Sequence, residues 1–301
     1  METVVEGLNN PCSIAMQPMS MTPYVSDSGN GQIVKIEDGQ IIPVITGFAV
    51  SQAAADIGGE VGPLGLGFVT ERTLVVGSGG WDAGNDRISL FDISSDGVQT
   101  ADDETSSRSP GSGDATASED YLCLAVAKDF VLATSRGGTS GGITRVEIKD
   151  NRASRLTTLV DAEKATGVSL PTAITISPDG FVVVGMRGEK DKNSVLAFFD
   201  MESGDLRAQF DTTLTDIVAL VYAARTGRLY ALNRSDDTDV NGLYKLVGRR
   251  RNTACDAQLV LQIDQPSAMA CTQDGYFFVT TGGQDGKLLR LGGLDERPAE
   301  D

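Results

Sequence analysis

The sequence predicts an all-β chain, a six-bladed β-propeller of four-stranded antiparallel blades closed by the N-terminal strand. Three observations predict it. A hairpin of unusual apolarity at residues 170–184, LPTAITISPDGFVVV, is too hydrophobic to leave either face in water and must lie between neighbours. Related hairpins recur around the chain at about 45–58 residues, the spacing of propeller blades rather than of helical solenoids. Finally, residues 3–8 read as a strand with no repeat of their own, while the last repeat lacks an outer strand. Joining the two closes the ring and removes the open sheet edges that invite aggregation.

Each repeat begins with two apolar strands. The first strands cover 11–16, 63–68, 121–126, 171–176, 216–221 and 266–271, and the second strands 23–26, 74–77, 131–134, 182–185, 229–232 and 277–280. In the hairpin at 170–184, Pro178 presets the first turn dihedral and Gly180 supplies the backbone freedom that Ser177-Pro178-Asp179-Gly180 requires. Third strands follow after polar, Gly-rich loops, at 32–36, 87–93, 143–148, 195–200, 243–247 and 287–291. Fourth strands are expected at 41–45, 156–160, 206–210 and 259–263, with only a trace near Val98 in the second repeat. Residues 101–118, rich in Ser, Asp and Gly, read as a flexible polar insertion in a single domain spanning 1–301, and 295–301 as an acidic tail.

A chain of 301 residues can bury a large core without disulfide or metal staples. Many Val and Ile and a single Trp favour strands over helices. The net charge of −17 disfavours nucleic acid and anionic membrane surfaces, both of which call for a basic face. No apolar run is long enough to span a bilayer, and the start lacks the pattern of a signal peptide, so a cytoplasmic protein is expected, or an exported one if a leader has been removed; a monomer is expected. Cys12, Cys123, Cys255 and Cys271 form no paired motif, and there is no His. Ser-His-Asp and Cys-His machinery and imidazole-ligated metals are thereby excluded.

Residues 7–15, GLNNPCSIA, followed by 24–36, YVSDSGNGQIVKI, resemble the NHL repeat, as do 266–281. More distantly the chain is similar to the SMP-30/gluconolactonase and strictosidine-synthase-like group. The resemblance implies the propeller fold and is nearly silent on activity, because that fold hosts scaffolds, lactonases and lyases. For the lactonases it implies a divalent metal held by Glu, Asn and Asp at the channel mouth. Here Asn9-Asn10-Pro11 stands in place of the Glu-Gly-Pro signature, and Pro171-Thr172-Ala173 in place of Pro-Asn-Gly. The inner-strand positions Ser13, Gly65, Cys123, Ala173, Val218 and Ala268 offer no ionisable ligand.

Candidate sites come from the loops at one mouth of the central channel, the usual ligand surface of this architecture. Aligning the ends of the second strands brings Arg136, Arg187 and Arg234 to one equivalent position in three consecutive blades, where the others have Ser28, Gly79 and Gly282. Such an arc suits a carboxylate, a phosphate or an acidic protein segment. The alternative is that each arginine pairs with a loop carboxylate such as Glu189, Asp191, Asp236 or Asp237. Asp237, Asp239 and Asn241 alternate as oxygen ligands do in a loop for Ca²⁺ or another divalent cation, although the downstream acid of an EF-hand is replaced by Gly248. Trp81, within an acidic loop at 81–86, suits a stacking platform or a blade cap. The basic run Arg249-Arg250-Arg251 suits solvent or an acidic partner. The leading expectation is a non-enzymatic scaffold binding a protein or small anionic ligand. The alternatives are a divalent-metal-dependent lactonase and a structural subunit of a larger assembly.

Overall fold

The computed structural model describes residues 1–52, 60–79, 86–95, 97–109, 120–136, 141–188, 193–248 and 253–294. Six antiparallel sheets of four consecutive or ring-closing strands make the propeller. Blade 1 comprises Pro11–Met16, Pro23–Asp27, Gln32–Glu37 and Gln40–Thr46; blade 2 comprises Pro63–Phe68, Thr73–Ser78, Ile88–Asp92 and Ser106–Arg108. Blade 3 comprises Tyr121–Val126, Phe130–Ser135, Gly142–Lys149 and Arg152–Asp161, and blade 4 Leu170–Ile176, Phe181–Arg187, Val195–Asp200 and Leu206–Asp211. Blade 5 comprises Ile217–Tyr222, Leu229–Asn233, Gly242–Gly248 and Cys255–Gln262. Blade 6 takes Pro266–Cys271, Phe277–Thr281 and Gly286–Leu291 from one end of the chain and Glu2–Leu8 from the other.

Burial follows from this stacking. The apolar residues form six clusters, one at each interface between neighbouring blades. Val182 and Val184 are buried with Leu132 and Ile143 between blades 3 and 4, and Ala173 and Val183 with Ile217 and Ala231 between blades 4 and 5, which accounts for a hairpin apolar on both faces. The interface that closes the ring is packed around Leu8, Ile14, Val25, Val34 and Leu288. The turn at 177–180 forms as expected: the Gly180 amide donates to Ser177 O at 2.9 Å, the Ser177 hydroxyl accepts from the Phe181 amide, and Gly180 has φ +83°.

The second blade departs from the sequence expectation. Its fourth strand is Ser106–Arg108, paired with Ile88–Asp92, and lies within the run read as a flexible insertion. Val98 is exposed, and its neighbours Gln99–Thr100 pair in parallel with Gln40–Thr46 of blade 1 instead. Polar side chains suffice for Ser106–Arg108 because an outermost strand faces solvent. The remainder of the insertion (110–118), residues 81–85 of the Trp81 loop, Arg249, Arg250, Arg251 and the tail (295–301) lie outside the described residues. Among the described residues no helix is long and apolar enough to cross a membrane.

Candidate functional site at the channel mouth

Every blade carries a register shift at the same point, between the first or second residue of its inner strand and the pairing that follows: Pro11/Ser13, Pro63/Leu66, Tyr121/Cys123, Pro171/Ala173, Ile217/Ala219 and Pro266/Ala268. A bulge turns its extra residue out of the ladder. The residues so released, Cys12, Leu64, Leu122, Thr172, Val218 and Ser267, all line one cavity of about 70 Å³ at the channel mouth. The inner-strand expectation is corrected accordingly. In five blades the mouth ring stands one residue upstream of the expected set, because alternation read straight through the bulge lands on the wrong face. Val218 is common to both sets, and Cys123 lines the cavity too.

Arg136, Arg187 and Arg234 all line this same cavity, with Asn10, Leu170 and Asp216. Strand pairing confirms that they are equivalent positions: Arg187 sits opposite Leu170, while the Arg136 amide donates to Asp120 O at 3.2 Å and the Arg234 amide to Asp216 O at 3.0 Å. Blades 3 and 5 therefore have an aspartate across from the arginine, and blade 4 has Leu170. This substitution decides the charge pattern. Arg136 pairs with Asp120 of its own blade (Nη2–Oδ2 3.6 Å), but Arg187, facing a leucine, reaches forward to Asp216 of blade 5 (Nε–Oδ2 3.6 Å). Asp216 is thus engaged across the blade boundary, and Arg234 forms no ion pair with a carboxylate among the described residues. Among the described residues, three guanidinium groups thus line the mouth with Asp216, Asp120 pairs with Arg136, and Asp27 acts on the Cys12 thiol of the same wall.

The loop carboxylates considered as arginine partners do not take that part where they are described. Asp236 is exposed, and Asp237 caps a short 3₁₀ turn by accepting from the Asp239 amide at 3.2 Å. Glu189 and Asp191 lie outside the described residues. In the loop of Asp237, Asp239 and Asn241, Asp237 and Asp239 are exposed, whereas Asn241 is buried and its carboxamide exchanges hydrogen bonds with Ser235. No group of three metal-ligating side chains occurs among the described residues. The mouth itself does not suit a divalent cation. Its wall offers Asp216 among carboxylates and surrounds it with three guanidinium groups, whose repulsion opposes a second positive charge.

Two thiols share the wall. Burial pushes the Cys12 thiol up to about 11, against the opposing pull of the Ser28 hydrogen bond and the Arg234 charge. Burial likewise raises Cys123 to about 12. Both are protonated at neutral pH and are poor nucleophiles there. Thr172 donates to Ile217 O at 2.7 Å, and Ser267 to Thr280 Oγ1 at 2.9 Å, so these hydroxyls brace the strands.

No protein-family model and no curated protein sequence matches the chain. Solved structures do. A gluconolactonase from Xanthomonas campestris, described as important in glucose secondary metabolic pathways, superimposes with a TM-score of 0.63 at 15% identity, over 95% of this chain and 87% of that one. A glucose dehydrogenase gives 0.64 at 14% identity over 97% and 99%. The hydrazine synthase of Kuenenia stuttgartiensis gives 0.60 at 15% identity over 90% and 74%. At these identities the likeness establishes the shared propeller fold. The structures named for gluconolactonase and glucose dehydrogenase stand against the leading expectation of a non-enzymatic scaffold and on the side of its lactonase alternative.

Proposed function

We propose that the chain is a lactonase-type hydrolase that opens a small cyclic ester at the arginine-lined mouth without a divalent metal. The observation that carries this reading is Arg234, a guanidinium with no ion-paired carboxylate among the described residues, in the same wall as Asp216. A cationic fork aimed into a confined cavity stabilises negative charge as it develops on a carbonyl oxygen. Asp216, oriented by Arg187, takes a proton from water as the water oxygen bonds to the ester carbon. The resulting oxyanion lies against Arg234. Collapse breaks the ring C–O bond, the ring oxygen takes the proton back, and the hydroxy acid formed gives its carboxyl proton to solvent, leaving a hydroxycarboxylate that the arginines bind before release. The likeness to gluconolactonase structures supports the reaction class, and the repeat sequences at 7–15 and 24–36 support an NHL-type origin for the blades.

The test is acid release from a panel of γ- and δ-lactones, followed by pH-stat. Wild type is expected to open at least one faster than buffer, and Arg234→Ala to lower kcat about 100-fold with unchanged circular dichroism. A panel in which no lactone is opened faster than buffer sinks the proposal.

A further inference from the structure

A second cavity, sharing no residue with the mouth, lies between blades 4 and 5 and has a volume of about 470 Å³, within the ordinary range of small-molecule sites. Its walls are Leu196, Phe198, Phe210, Leu229, Leu246 and Tyr222, with Arg228 and Lys245 also lining it. Phe198 and Phe210 meet edge to face, ring centroids 5.8 Å apart, so flat aromatic surface is already fixed in place. The cationic pair is the unusual part. Acidic residues far outnumber basic ones in this chain, yet neither Arg228 nor Lys245 forms an ion pair among the described residues. The Tyr222 hydroxyl likewise makes no hydrogen bond to a described residue. Burial, with the nearby Asp179 and Cys255, pushes that phenol up to about 12, so it keeps its proton and can donate.

We infer that this cleft binds an aromatic carboxylate, its ring against Phe198 and Phe210 and its carboxylate at Arg228, Lys245 and the Tyr222 hydroxyl. Charge complementarity selects an anion over a neutral or cationic aromatic: Arg228, Lys245 and Tyr222 all line the cleft, and no carboxylate among the described residues lines it with them. A ring stacked on the cleft wall adds apolar burial that a bare anion such as phosphate lacks.

The probe is 2-naphthoate, titrated calorimetrically into the full chain beside naphthalene-2-methanol and 2-naphthylmethylamine. The expected result is 2-naphthoate binding at least tenfold tighter than either comparator. The Arg228→Ala/Lys245→Ala double variant, whose changes lie at the cleft rim, should erase that preference while circular dichroism stays the same. Tyr222→Phe should weaken 2-naphthoate several-fold and leave the alcohol unaffected. Equal affinity for all three probes, undiminished 2-naphthoate binding to the double variant, or no binding at millimolar concentration overturns the inference. So does a concentration-dependent dimer that Phe210→Ala abolishes, because the cleft would then belong to a second copy. The lactone-opening reaction at the mouth plays no part in the readout.

Discussion

The arginine arc turns on one position, Leu170. With leucine opposite Arg187, the guanidinium borrows Asp216 from the next blade, and Arg234 is left as the cation that a bound anion can satisfy. Thermal unfolding with phosphate or citrate should therefore report on the arc, since a ligand at 100 times its Kd stabilises by about 2.7 kcal/mol. Arg136→Ala/Arg187→Ala/Arg234→Ala is expected to abolish the shift. Arg187→Ala alone should also reduce it, because it frees Asp216 to neutralise Arg234; an undiminished shift in the triple variant would count against an anion site. The positions of the three arginines were legible in the sequence from the strand ends. Their pairing was not, because it crosses a blade boundary and depends on which side chain stands opposite each one. The thiols add a second test. Cys12 and Cys123 keep their protons in the folded chain to about pH 11 and 12, whereas unfolded thiols lose theirs near pH 8.5. Above that pH the native state binds more protons, so stability should fall as pH rises from about 9 to 11. Replacing both with Ser should flatten the slope measured by urea unfolding, and an unchanged slope would assign it elsewhere.

Strands and hairpins were the most readable level. Inner and second strands stand close to where apolar runs between turn residues put them, and residues 3–8 close the ring as the missing outer strand. Two features escaped for physical reasons. Ser106–Arg108 has no apolar side chain, so nothing distinguishes it from the loop around it until Ile88–Asp92 is there to pair with it. The bulge in each inner strand inserts a residue that pattern alone does not mark, which moved the expected mouth ring by one. The repeated Pro near the strand start (Pro11, Pro63, Pro171 and Pro266) is the signal that could have flagged it, because proline favours edges and bulges. Ring closure carries its own expectation. Leu8 is fully buried between the first and last blades, so Leu8→Ala should cost about 2–5 kcal/mol. A loss below 1 kcal/mol in denaturant unfolding would mean that the terminal strand is peripheral to stability.

At the scale of the molecule, six similar blades each contribute one bulged residue to a common mouth, and differences between blades write the chemistry onto that symmetric frame. Blades 3, 4 and 5 supply arginines, blade 5 supplies the carboxylate, and the rest of the ring supplies the uncharged Asn10, Cys12, Leu64 and Ser267. The sequence conveyed the frame through its repeats, but the charge balance of the mouth needs all six blades in place. The fold shared with gluconolactonase structures here carries three arginines at its mouth, whose repulsion opposes a divalent ion. The most direct measurement is lactone hydrolysis by protein exhaustively treated with chelator, compared with the same protein given Ca²⁺ and with Arg234→Ala. The expected result is a rate unchanged by chelator or Ca²⁺ and about 100-fold lower in the variant. Activity that vanishes with chelator and returns with Ca²⁺, or that survives in Arg234→Ala, would contradict it.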